Sequence, residues 1–160
     1  MRIQGESAPH GPNPGTLEER FREAKLPLTI QRRAVYKEVL EHPSHPTAEE
    51  VHALVCRTHP EFPKTTVYRA LETLVRVGLL QRVAHPGSAV RYDANIHRHH
   101  HLTCLECGRI VDVVYAPLDT LPIPGKSVHG FTIVDHSVHF QGWCSSCRPE
   151  GSENRKPRGH

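Results

Sequence analysis

Apolar residues recur at helical spacing through the first half of the chain and change to strand-like alternation later. Ile30, Ala34, Val35, Val39 and Leu40 line one side of a helix that Thr29 opens and Pro43 and Pro46 close. A shorter helix over 17–24 precedes it. Thr47-x-x-Glu50 has the form of a capping box, and Val51, Leu54 and Val55 then make the buried stripe of a third helix. After a Pro-bounded turn, Thr65 or Thr66 is expected to cap a fourth helix that stops at Gly78. Val67, Ala70, Leu71, Leu74 and Val75 share its inner face. Thr65, Arg69, Glu72 and Arg76 project from the opposite face, with Tyr68 at the boundary.

The segments 79–83 and 89–92 alternate like strands around a His85-Pro86-Gly87-Ser88 turn. Helices followed by a hairpin are the layout of a winged helix-turn-helix, whose last helix enters the major groove. From about His97 the pattern is strand-rich, with candidate strands at 110–115 and 138–140 and the apolar segment 131–134 between them. Pro122, Pro124 and Gly125 interrupt the middle. The expected fold class is therefore α+β, with an N-terminal winged helix at 16–94 and a small α/β domain at 95–148. Residues 1–15 and 149–160, polar and rich in Pro and Gly, read as flexible tails. No transmembrane-length apolar run and no leader pattern is seen, so a cytoplasmic location without membrane contact is expected.

Composition adds two facts. Net charge is only +3, and the first 95 residues carry 13 Lys+Arg against 11 Asp+Glu, so DNA binding must be argued from local pattern. Histidine is abundant: 14 in all, seven of them between positions 97 and 139. Cys104-x2-Cys107 and Cys144-x2-Cys147 form two chelating knuckles separated by 36 residues. In a reducing compartment such pairs read as one closed zinc site. Reactive dithiols or buried thiols are the alternatives. Cys56, alone beside the third helix's apolar stripe, reads as a core cysteine.

Upstream of the first knuckle stands Arg98-His99-His100-His101. On an extended strand His99 and His101 point one way and His100 the other. Two imidazoles with a carboxylate from Asp93 or Asp112 suit Fe(II), Mn(II) or Zn(II). His45, between the second and third helices, is a further candidate. The outward Arg69 can read guanine in bidentate fashion, although a solvated helix face is the plain alternative.

Taken together, these residues resemble the ferric uptake regulator family. Leu28-Thr29-Ile30-Gln31-Arg32-Arg33-Ala34-Val35, His45-Pro46-Thr47-Ala48-Glu49-Glu50 and Thr66-Val67-Tyr68-Arg69-Ala70-Leu71 are similar to its motifs. So are Arg91-Tyr92-Asp93, His99-x-His101-Leu102-x-Cys104-x2-Cys107-Gly108, and Gly142-x-Cys144-x2-Cys147. The resemblance implies a homodimeric, metal-activated repressor that binds an AT-rich inverted repeat of double-stranded DNA. It implies contacts from Thr65, Thr66, Tyr68, Arg69 and Arg32. It implies structural zinc on Cys104, Cys107, Cys144 and Cys147. It also implies a regulatory Fe(II) or Mn(II) site on His45, Asp93, His99, His101 and Asp112.

A further site would use His100, Asp119 and His136, weakened because Arg98 stands where the family usually has a histidine ligand. The helix usual near Pro122 is expected to be short or broken. No cysteine lies between Arg57 and Thr103, which disfavours a zinc-uptake regulator. Asp93 and Asp112 resemble the peroxide-sensing PerR-like branch, in which an iron-ligating histidine is oxidised, here His45 or His99. Arg69 is instead the iron-regulator choice, so an iron or manganese uptake regulator is the alternative. A zinc-thiol redox switch and a protein-only adaptor are more distant, and so is a metalloenzyme, for which no general-base motif such as H-E-x-x-H is present.

Overall fold

A computed structural model describes residues 15–83, 89–122, 127–133 and 136–149. The expected turn at 85–88, Pro124, Gly125 and the tails before 15 and after 149 lie outside the described residues. The chain divides into two compact units between Arg98 and His99, where the sequence reading placed the division between 94 and 95.

The first unit begins with α1 (Leu17–Glu23) and α2 (Ile30–Glu41). It continues with α3 (Ala48–Val55), α4 (Lys64–Arg76), β1 (Gln81–Val83) and β2 (Arg91–Asp93). The caps explain most of the helix starts. Thr16 with Glu19, and Thr47 with Glu50, form reciprocal capping boxes, and the Thr29 hydroxyl accepts the Arg32 N–H. Helix α4 starts differently from expectation. Its N-cap is Pro63, with no side-chain cap, and Thr65 and Thr66 already lie inside the first turn. The ring of Pro63 fixes φ at −67° with extended ψ, so the proline sets the start and no hydroxyl is needed.

Val35, Tyr36, Val39, Val51, Val55, Val67, Leu71 and Leu74 interlock α2, α3 and α4 into one apolar core. Each such buried aliphatic side chain contributes about 1.5–3 kcal/mol. Phe21 packs edge-on to Tyr36, and the buried Arg20 donates to the Tyr36 hydroxyl at 2.8 Å. Cys56 is half-exposed at the C-cap of α3, with its Sγ 3.3 Å from His52 Nε2. It is not a core thiol, because its helical position lies about 100° or more round the axis from the buried Val51 and Val55.

Strands β1 and β2 pair antiparallel, with Gln81 opposite Asp93. The α2–α3 loop adds to this wing: Tyr92 N–H donates to Pro46 O at 2.9 Å, and Thr47 bridges Arg91. That addition brings the His45 loop beside the end of β2.

The second unit contains β3 (His100–Cys104), β4 (Ile110–Val113) and α5 (Ala116–Asp119). It closes with β5 (Ser127–Val128), β6 (Phe131–Thr132) and β7 (His139–Gly142). Its main sheet has the order β4-β3-β7, antiparallel on one side of β3 and parallel on the other. Helix α5 is four residues long and ends before Pro122, and most of the segment where a short or broken helix is expected lies outside the described residues. Strands β5 and β6 meet at His129 and Gly130, whose φ values of 49° and 83° make a tight two-residue turn. Among the described residues no helix is long and apolar enough to cross a membrane.

Candidate metal centres and DNA-reading surface

Cys104 ends β3, and Cys144 follows β7 on the parallel side of the same sheet. Each knuckle closes on a backbone hydrogen bond to the carbonyl of its first cysteine. Gly108 N–H donates to Cys104 O, and Cys147 N–H donates to Cys144 O, each at 3.0 Å. Gly108 at φ 69° permits the first turn. The four Sγ atoms all lie within 4.8 Å of one another, and Cys107 and Cys144 are 3.9 Å apart. A zinc tetrathiolate with 2.3 Å bonds has edges of about 3.8 Å.

The electrostatics agree. N–H groups of Cys107 and Cys144 aimed at Cys104 lower its thiol to about 6. The neighbouring sulfurs of Cys144 and Cys107 push Cys147 up to about 12. Four thiolates this close require a cation among them, and the donor set fits zinc.

The first unit brings His45 and Asp93 together. His45 is buried, with a left-handed backbone (φ 54°), and its Nε2 lies 3.6 Å from Asp93 Oδ2. Gln81 Nε2 donates to Asp93 Oδ2 at 2.9 Å and the Asn95 N–H to Oδ1 at 2.7 Å, which orients the carboxylate.

The second unit brings His99, His101 and Asp112 together. His101 faces Asp112 across the β3–β4 ladder, and His99 immediately precedes β3. His99 Nε2 is 3.0 Å from His101 Nε2 and 3.5 Å from Asp112 Oδ1, and His101 Nε2 is 3.9 Å from the same oxygen. Cis imidazole nitrogens at 2.1 Å from one metal stand about 3.0 Å apart. These nitrogens and this carboxylate therefore fit a first-row divalent cation.

His100, on the other face of β3, is fully buried. Its Nδ1 accepts from the Val138 N–H at 3.2 Å, and its Nε2 is 3.2 Å from Asp119 Oδ1. His136 Nε2 donates to Leu118 O at 2.8 Å. The ligating atoms of His100, Asp119 and His136 are not gathered as those of the cysteine set are.

Thr65 and Arg69 lie exposed on α4, and Thr66 and Tyr68 are half-buried there. Lys64, at the head of α4, pairs with Glu49 at 2.6 Å, and its ammonium sits 5.5 Å from the Tyr68 ring centre. Arg32 is half-buried on the first turn of α2, its Nη1 donating to Pro27 O at 2.8 Å. Arg82 of β1 pairs with Glu72 of α4.

Sequence reasoning did not single out Gln81, Asn95, Arg91 or Lys64. Strand register could have found Gln81, since it faces Asp93 in the ladder. His139 was also missed. It is the β7 partner of His101 and stacks on it, ring centres 5.5 Å apart.

A winged helix with an exposed polar face, joined to thiolate and imidazole–carboxylate clusters, defines a metal-dependent DNA-binding regulator. Residues 23–141 match the model of the Ferric uptake regulator family, and the chain belongs to that family. It is 31% identical over 132 residues to the peroxide-responsive repressor PerR of Staphylococcus epidermidis (strain ATCC 12228), covering 82% of this chain and 88% of that one. A solved zinc-bound manganese uptake regulator is similar with TM-score 0.64 and 25% identity, over 81% of this chain and 99% of the other. The Helicobacter pylori ferric uptake regulator shares the fold at TM-score 0.67 and 20% identity, over 85% and 91% of the two chains.

Proposed function

We propose that this protein is a cytoplasmic, homodimeric repressor of the ferric uptake regulator family that senses peroxide through Fe(II), with Mn(II) as a corepressor that does not respond. The carrying observation is the donor set. His99, His101 and Asp112 offer two nitrogens and an oxygen in a buried cluster, with no sulfur.

Three donors leave a first-row cation short of its usual four to six. His45 and Asp93 supply two more, and we read the five as one regulatory site. Capture by residues from both units would fix the angle between the two DNA-binding units of the dimer. That gives the metal a differential affinity for one global state, as allostery requires. Ferrous iron held there would supply peroxide reduction, and the imidazole of His45 or His99 would be the oxygen acceptor. Thr65, Thr66, Tyr68, Arg69 and Arg32 contact the operator, an AT-rich inverted repeat. His100, Asp119 and His136 form at most a weak third site, because Arg98 stands where the family usually has a histidine ligand and cannot ligate.

The dimer reading is supported by the sheet of the second unit. Val111, Leu102 and Phe140 are register partners across its three strands, and each is more than a third exposed. Such an apolar row is what a second copy covers.

Arg69, exposed on α4, favours a second reading, a reversible iron or manganese uptake regulator. Peptide mass spectrometry after low peroxide separates the two. Oxygen added at His45 or His99 with iron but not manganese, together with loss of operator binding, supports the sensor. Unmodified histidines with operator binding retained move the protein to uptake control.

A further inference from the structure

Arg91 stands where the wing, the His45 loop and the start of α3 meet. Its side chain is 21% exposed. Its Nη1 donates to the His45 carbonyl at 2.8 Å and reaches Glu50 Oε2 at 3.3 Å. The same Oε2 accepts the Thr47 N–H at 2.7 Å and so closes the capping box of α3. His45 carries a left-handed backbone, which a non-glycine residue holds at a cost of about 1–3 kcal/mol unless its surroundings fix it. Two groups fix it: the guanidinium on its own carbonyl, and the Tyr92 N–H on the next one. Asp93 is two residues beyond Arg91 on the same strand.

The connection continues inside the first unit. Glu49, beside Glu50 in the first turn of α3, pairs with Lys64 at the head of α4, and Lys64 lies over Tyr68.

We propose that Arg91 is a positioning residue that couples the His45 ligand to the capping box of α3, and through Glu49 and Lys64 to the DNA-reading helix. The inference rests on the reading of His45 and Asp93 as regulatory ligands. It assigns Arg91 no contact with the metal. A cation drawing on His45 pulls on a loop whose carbonyl is held by Arg91, and Arg91 is held by the carboxylate that caps α3. Displacement of the ligand is then felt at the Thr47 amide.

The test uses the full-length, zinc-loaded protein with Mn(II), which avoids oxidation. In the wild type, Mn(II) should slow hydrogen exchange of the Thr47 amide and tighten operator binding. Arg91→Met is expected to weaken Mn(II) binding about tenfold or more, leave zinc content unchanged, and abolish the Thr47 response even at saturating Mn(II). Glu50→Gln is expected to lose the same response. The double variant is expected to bind Mn(II) within about twofold of Arg91→Met, since the two act in series. Arg91→Lys keeps the charge and one donor, so partial recovery is expected from it even if the methionine variant is poorly folded.

Wild-type Mn(II) affinity with an intact Thr47 response in Arg91→Met overturns the relay, as does full additivity in the double variant. A separate control tests the underlying reading. If His99→Ala keeps wild-type Mn(II) affinity, the regulatory site lies elsewhere and the relay falls with it.

Discussion

Loss of zinc is expected to unfold the second unit and spare the first. The perturbation is Cys104→Ser, with chelation of the wild type as a companion. The magnitude follows from where the apolar burial lies. The core cluster lies wholly between Phe21 and Ala94. Among the described residues of the second unit, the buried apolar side chains are Cys104 and Ile110. Burial of Ile110 is worth roughly 2–3 kcal/mol. Ordering backbone costs about 1–2 kcal/mol per residue, so a handful of strand residues consumes that gain. Structural zinc in small domains supplies about 10–16 kcal/mol of apparent binding energy, several times the Ile110 contribution.

Nitrogen–proton correlation spectra give the residue-level assay. Signals from β3, β4 and β7 should collapse to unfolded positions, while those of α1 to α4 stay dispersed and helical circular dichroism is largely kept. The dimer should dissociate in the same step. Dispersed β3 and β7 signals in a zinc-free, monomeric protein would refute the argument that metal substitutes for a core here.

Three further outcomes are expected. His99→Ala should fold and retain zinc yet lose Mn(II) affinity by about 100-fold or more, exceeding the 10–100-fold typical of losing a second-shell partner; competition with a metal-sensitive dye measures it. Arg69→Ala should cost about 1–3 kcal/mol on the operator and relax specificity at one base position, whereas equal loss on every sequence would mark a phosphate contact. When zinc is stripped in the presence of an alkylating agent, which meets each thiol as the metal leaves and before β3 and β7 unfold, alkylation should begin at Cys104 and end at Cys147. The Cys104 thiol, lowered to about 6, is mostly thiolate above that pH, protonated and unreactive below it. Cys147, raised to about 12, stays protonated throughout the neutral range, and timed mass mapping from pH 5 to 9 reads the order.

What the sequence disclosed follows the range of the forces involved. Helices α2 and α3 were legible because the apolar spacing and the Thr29 and Thr47 caps are local signals. The start of α4 was misjudged because a proline and a threonine cap compete in that stretch, and the fixed φ of Pro63 prevails. The cysteine knuckles were legible from spacing alone. The parallel pairing of β3 with β7 was not, since hydrophobic alternation fixes a strand's faces and not its neighbour. For the same reason His139 could not be placed against His101. Arg91 acts through a side chain that reaches the α2–α3 loop at a sequence separation of 46, and no periodicity reports such a contact.

The parallel strands β3 and β7 run into their knuckles at the same end of the sheet, after a connection too long to set their alignment. A slip of one residue would turn every side chain of the displaced strand to the opposite face. Zinc clasping the two strand ends would act as an alignment key that keeps His101 opposite His139. Sensing is therefore conditional on the earlier capture of a different metal. On the proposed reading, a molecule starved of zinc would be silent, not mistuned, and the signal would pass only through repressors whose assembly has already been checked.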